Sequence, residues 1–217
     1  MAFAWSWSAI TMYELCPKKY YHLKVIKDVK DADSAFSGEG KDTHVALHKR
    51  VINKVLLPLP LRHLEGLVKP FVDTQGEKHG ELQLALNRNF EPCDWFDKNT
   101  YVRAIIDLLI IKGGLAIIID WKTGKVRPDF GQIKLSAAVL ARVMPELERF
   151  RLTYVWTKHK EISPPVSMEM KHMTDVWADM IPRADEIEKA IKTTDFPAIE
   201  NPLCRWCPVK QCPHNKS

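Results

Sequence analysis

The chain has 217 residues, 46% of them hydrophobic and 27% charged, with a formal net charge of +5. That length and balance suit one soluble globular domain with a substantial core. No apolar run approaches the ~20 residues that span a bilayer, the N-terminus MAFAWSWSAITMYELC lacks the basic start of a signal peptide, and the mild charge permits a polyanionic partner without demanding one; a cytoplasmic protein is expected.

Ser8 reads as the N-cap of a helix over 9–15, with Trp7 and Met12 placed as a hydrophobic staple. The segment closes as Cys16-Pro17-Lys18-Lys19-Tyr20-Tyr21. It is either a helix end with solvated lysines or a thiol ligand beside a phosphate-contacting patch. Residues 28–40, rich in Asp, Ser and Gly, read as a loop. Val45, Leu47, His48, Val51 and Val55 predict a helix over 41–56, stopped by Pro58 and Pro60. His44 and His48 are four apart, but Val45 stands where a zinc-protease helix needs Glu, so that reading fails. A further helix over 61–72 breaks near Pro70, 81–86 (ELQLAL) fits a strand or a short helix, and 87–99 reads as a loop carrying Cys93. Past Pro128, Asp129 is the expected N-cap of a helix reaching Met144, with Gln132 three residues on. Residues 151–156 alternate as a strand, and 173–193 form a long amphipathic helix kinked at Pro182. The order implies an α/β sandwich around one mixed sheet, with a helical N-terminal region and an irregular C-terminal cap.

At the centre lies 101–125, YVRAIIDLLIIKGGLAIIIDWKTGK. Gly113-Gly114 supplies the positive φ angles of a tight hairpin turn. With both glycines in a two-residue turn, Lys112 faces Leu115 and Asp107 faces Asp120. Opposed carboxylates with Cβ atoms roughly 5 Å apart repel each other, and a divalent cation between them removes the repulsion; the plain alternative is a solvated pair at a fraying strand tip. Lys122, two residues past Asp120, returns to the same face. Two acids and a lysine suit metal-assisted hydrolysis. The acids hold Mg²⁺ or Mn²⁺, the metal readies a water, and the lysine steadies the developing charge. The backbone carbonyl of Trp121 is available to the metal shell, and Lys125, Arg127 and Lys134 to phosphates.

Cys204, Cys207 and Cys212 crowd the tail and Cys16 lies far upstream. Four thiolates serve either zinc or an iron–sulfur cluster. The three-plus-one layout, with Pro after Cys16, Cys207 and Cys212, favours iron–sulfur. Such a cluster would staple the C-terminus to the first helix. His214 is a spare donor, and Cys93 a free thiol.

These residues resemble the PD-(D/E)XK nucleases in their RecB-like form. Asp107 followed by Asp120-Trp121-Lys122-Thr123-Gly124 is similar to the family signature. Gly40-Lys41-Asp42-Thr43-His44 resembles the upstream Gly-x-x-x-His element, whose histidine is a metal ligand there. Gln132 resembles the Gln that opens the following helix, and 8–20 the N-terminal run ending in Cys-Pro-basic-basic-aromatic. The tail resembles the three-cysteine element that, with an upstream cysteine, holds a [4Fe-4S] cluster in AddB-type and CRISPR-associated adaptation nucleases.

The resemblance implies a restriction-endonuclease-like α/β fold, a mixed central sheet flanked by helices. It implies a single nuclease domain over 1–217, with a core at 38–193 and with 1–27 and 196–217 joined by the cluster. The implied activity is a Mg²⁺- or Mn²⁺-dependent deoxyribonuclease, an exonuclease on DNA that is single-stranded or has a single-stranded end. Its implied companions are a helicase, a recombinase or a CRISPR adaptation protein, with no membrane involved. The implied catalytic residues are Asp107, Asp120, Lys122 and Gln132, and the implied metal ligands His44, Asp107, Asp120 and the Trp121 carbonyl, with Glu81 as a third carboxylate. Cys16, Cys204, Cys207 and Cys212 would hold the cluster, and Lys18, Lys19, Tyr20, Lys125, Arg127 and Lys134 would touch DNA. Ser136 stands where the family usually has Tyr. Gln132 has an equal reading as a capping box with Asp129. Two alternatives stay open: a non-cleaving DNA-binding module, against which the opposed acids argue, and a zinc-stabilised nuclease of the same fold.

Overall fold

A computed structural model describes residues 3–30, 35–126 and 129–216, and of 35–39 the backbone alone. The first helix, α1 (Trp7–Leu15), is capped by Ser6 rather than Ser8: the Ser6 hydroxyl accepts from the Ala9 amide at 3.4 Å. Moving the cap moves the staple positions, which become Trp5 and Ile10, both fully buried in one cluster. Pro17 opens α2 (Pro17–Tyr20), where its missing N–H is no loss. A π turn follows over Tyr21–Val25.

Helix α3 (Ala35–Ile52) starts inside the stretch expected to be a loop and ends four residues short of the expected stop. A 3₁₀ turn (Leu59–Leu64) leads into α4 (Glu65–Asp73), which contains Pro70 one turn before its end instead of breaking there. Strand β1 (Glu77–Asn87) settles the ambiguous 81–86 segment in favour of a strand. The hairpin is β2 (Thr100–Lys112) and β3 (Leu115–Lys122), after which α5 (Gly131–Val143) crosses over to β4 (Arg149–Trp156). Two short strands that the sequence pattern did not signal, β5 (Glu161–Ile162) and β6 (Val166–Glu169), follow before α6 (Met173–Thr193), which runs through Pro182. The tail holds a single 3₁₀ turn, Cys204–Trp206, among the described residues.

The sheet runs β1-β2-β3-β4, with β5 and β6 both paired to β4. All pairs are antiparallel except β3 with β4, the pair that needs a crossover helix. Helices cover both faces. Ile118 and Ala116 of β3 join a core with α1, α5 and α6, while Ile119 and Trp121 point into a second core with Leu47 and Val51 of α3 and Val68 of α4. The unbroken apolar run of β3 is thus the signature of a strand buried on both sides. Among the described residues, no helix is long and apolar enough to cross a membrane.

The hairpin has the expected register, from Lys112 opposite Leu115 to Leu108 opposite Ile119. Only Gly113 of the turn pair takes a positive φ, +59°. That matches a type II′ turn, in which the first central residue alone needs the left-handed region. The ladder stops one pair short of Asp107 and Asp120.

Candidate metal centre

Where β2 and β3 part, side chains take over from the backbone ladder. The Trp121 amide donates to Asp107 Oδ2 at 2.8 Å, anchoring that carboxylate across the gap. Asp120, on the neighbouring strand, is almost fully buried. Alternation along β3 brings Lys122 back to it, with Nζ 2.7 Å from Asp120 Oδ2. Lys122 also donates to Gln132 Oε1 at 2.7 Å, and Gln132 Nε2 donates to Asp120 Oδ1 at 3.0 Å. Lysine, amide and carboxylate form a closed triangle between β3 and the first turn of α5. The Gln132 carboxamide is therefore spent on the strand and not on a capping box; Asp129 alone receives the Gly131 amide, at 2.8 Å.

On the other side of Asp107 stands α3. His44 Nδ1 lies 3.5 Å from Asp107 Oδ2, and His44, Glu81 and Asp107 offer ligand atoms all within 4.8 Å of one another. Glu81 reaches this position through a backbone irregularity. Gly80 pairs with Leu108 and Leu82 with Ile106, and between them Glu81 takes a φ of +53°. A non-glycine residue in that region costs roughly 1–2 kcal/mol, and such strain concentrates where side chains are aimed for function. β2 is irregular at the same level: Val102, Ala104 and Ile106 pack into the larger core, but Leu108 and Ile110 into the smaller. The alternation slips phase at Asp107.

Burial raises the Asp107 carboxyl well above the ordinary carboxylate range, and the negative charge of Asp120 raises it further, against the pull of the Trp121 amide. Burial also raises Asp120, opposed by Lys122 and His44. The His44 imidazole is lowered, first by burial, with Asp120 and Glu81 pulling the other way; the Trp121 backbone lies against it. Buried acids held this close keep their charge together only beside a cation. Lys122 is the ion-pair partner of Asp120 Oδ2 at 2.7 Å, one positive charge beside two buried carboxyl groups. Carboxylate oxygens plus one imidazole are donors that suit a divalent cation. The residues fit the metal.

Of the residues singled out from sequence, His44, Asp107, Asp120, Trp121, Lys122 and Gln132 converge here. Glu81 joins His44 and Asp107 more closely than Asp120 does. Ser136 is buried, and its hydroxyl returns to the Gln132 carbonyl at 3.2 Å, a bond internal to the helix. The aromatic residue beside the site comes from elsewhere. Tyr154 of β4 is the lateral partner of Asp120, and its ring centroid lies 5.2 Å from Lys122 Nζ. The strand pattern of 151–156 was visible, but only the parallel register puts Tyr154 beside Asp120.

The expected DNA-contacting residues scatter. Tyr20 is a correction: it is a core residue, packed edge-to-face on Tyr13 at 5.7 Å, and is not on the surface to meet a nucleic acid. Lys18 and Lys19 line a pocket away from the metal centre, Lys134 lines a groove with Asp129, Asp175 and Arg183, and Lys125 is exposed just past β3. Arg127 lies outside the described residues.

The pocket at Lys18 and Lys19 is the one lined by all four of Cys16, Cys204, Cys207 and Cys212. None of the four is in a disulfide, and the Asn201 amide donates to Cys204 Sγ at 3.3 Å. The tail is also tied to the N-terminal helices by ordinary bonds: the Lys18 amide donates to the Pro197 carbonyl at 3.2 Å, and Asn201 Nδ2 to the Leu15 carbonyl at 3.4 Å. His214 faces Glu200, and Cys93 lies near Thr100, far along the chain from the other thiols.

A model of the PD-(D/E)XK nuclease superfamily matches residues 4–213. A solved structure described as "Crystal structure of SSO0001" is 14% identical, with a TM-score of 0.48 over 96% of this chain and 86% of that one, a likeness too distant to inform function. No curated protein gives a significant match.

Proposed function

Since the chain belongs to the PD-(D/E)XK nuclease superfamily, we propose that it is a RecB-like deoxyribonuclease, dependent on Mg²⁺ or Mn²⁺, that degrades DNA from a single-stranded end in the cytoplasm. The observation that carries this is the Lys122–Gln132–Asp120 triangle set against His44, Glu81 and Asp107. In this reading Asp107, Asp120, His44, Glu81 and the Trp121 carbonyl would hold the metal. When bound, the ion readies a water for attack on phosphorus and offsets charge on the phosphoryl oxygens. Lys122 brings a fixed positive charge to the place where negative charge grows. Gln132 holds the Lys122 ammonium and the Asp120 carboxylate in register. Lys125 and Arg127, just beyond β3, are the cations closest in sequence to the site and contact the substrate backbone.

The whole chain is proposed as one nuclease domain, 38–193 forming the core. A [4Fe-4S] cluster on Cys16, Cys204, Cys207 and Cys212 joins 1–27 to 196–217. In support, the four thiols share one pocket, and the Asn201 N–H faces Cys204 sulfur, as suits a ligating thiolate. A helicase, recombinase or CRISPR adaptation protein is the proposed companion.

The test is digestion of 5′- and 3′-labelled single- and double-stranded DNA. With Mg²⁺ or Mn²⁺ the label should be lost progressively from one end, and EDTA should stop it. DNA left intact under every metal condition would reject the nuclease reading. Purified anaerobically, the protein should be brown and carry about four irons; a colourless protein with one zinc would replace the cluster by a zinc staple.

A further inference from the structure

Beside the metal centre lies an open pocket of about 390 Å³ that the proposed chemistry does not use. Gln132 forms part of its wall and, through its bonds to Asp120 and Lys122, links the two. From there the pocket runs back along β2, past Ile105 to Arg103, toward Trp95 in the 87–99 loop and Trp7 and Ser8 at the start of α1.

Its chemistry is specific. The Arg103 guanidinium stacks over the Trp95 indole, 5.3 Å from the ring centroid. Arg103 Nε is buried and has no hydrogen-bond partner among the described residues. Ile105 is 41% exposed, between the buried Ala104 and Ile106. Trp7 is fixed from behind, with the Arg183 guanidinium 4.9 Å from its ring centroid. A flat aromatic wall, an apolar floor, a guanidinium and a hydroxyl rim suit a planar heterocycle with polar edges. Attached to a phosphodiester held at the metal centre, that heterocycle is a nucleobase.

We propose that this pocket receives an unstacked base of the nucleotide next to the phosphate being cut, so that the enzyme selects single-stranded DNA. The proposal rests on the nuclease reading above. A base in a duplex is stacked on both faces and paired along its edge, and extracting it costs a few kcal/mol; a base in a single strand enters without that penalty. Aromatic stacking tolerates every base, so the pocket selects for strandedness and not for sequence.

The experiment is an abasic scan. Single-stranded oligonucleotides, each with one abasic site at a different position, are titrated onto the whole protein in Ca²⁺, and their intactness is checked on a gel. One position should weaken binding roughly tenfold, as expected for the loss of one stacked base. Trp95→Ala should lose about the same factor on the intact strand and nothing further on the abasic one. Ile105→Glu, at an exposed position, should weaken binding of the intact strand without unfolding the protein. A flat scan overturns the pocket, as does a Trp95→Ala loss that is equal on intact and abasic strands. If the intact strand is bound, and cut in Mg²⁺, while the scan stays flat, the nuclease reading survives and the base pocket does not. If nothing is bound or cut, both fall.

Discussion

At the scale of single residues, Glu81 separates stability from function most sharply. Its φ of +53° and its place beside Asp107 both cost free energy when no cation is bound. Glu81→Gly removes the left-handed strain and one negative charge. The metal-free protein should gain roughly 1 kcal/mol, or about 2–4 °C in melting temperature at this size. The melting shift produced by Mn²⁺ should shrink. A variant that melts lower without metal, yet gains as much from Mn²⁺ as the parent, would contradict the assignment. Asp107, Asp120 and Lys122 were legible because a two-residue turn makes cross-strand partners a matter of counting. Glu81 was visible only as an acid near a family position. Its aim depends on one backbone angle in the middle of a strand, which no periodicity reports. Gln132 was undecided for a related reason: Asp129 and Gln132 have capping-box spacing, and only the crossover geometry of α5 shows that the carboxamide reaches β3 instead.

At the scale of elements, the hairpin carries the site. Its turn makes a distinction that the Gly-Gly pair hides. Gly113, in the left-handed region, has open space where a side-chain methyl would go, whereas Gly114 has ordinary φ and a methyl there would only touch the Glu148 side chain, at 3.6 Å. Gly113→Ala should therefore cost about 1–2 kcal/mol from backbone strain alone. Gly114→Ala should be close to neutral or slightly stabilising, because it removes freedom from the unfolded chain. Equal melting temperatures for the two variants would refute the type II′ assignment. The hairpin, α5, β4 and α6 were readable from periodicity. The cap of α1 was misplaced by two residues because Ser6 and Ser8 are equally good caps by type, and burial of Trp5 and Ile10 decides between them. β5 and β6 escaped because two- and four-residue strands leave no pattern to count; they exist through their pairing with β4.

At the scale of the whole molecule, the two chain ends meet at the cysteine pocket while the metal centre sits at the opening of the hairpin. The proposed staple and the proposed chemistry are thus separable. Cys207→Ser should lower iron content and thermal stability together, since metal bound by a folded site adds directly to folding free energy. A contribution of even about 2 kcal/mol would appear as roughly 4–8 °C; full iron with an unchanged melting temperature would count against it. The layered α/β order followed from the alternation of apolar strands and amphipathic helices. That the tail returns to α1 followed from taking Cys16 together with the three tail cysteines, and all four line one pocket. The most direct test of the proposed nuclease site is metal-dependent cutting of end-labelled DNA by Asp120→Ala and Lys122→Ala beside the parent chain, with binding measured in parallel. Both variants should lose Mg²⁺- and Mn²⁺-dependent cutting while still binding DNA; cutting by both at the parent rate would contradict the proposed site.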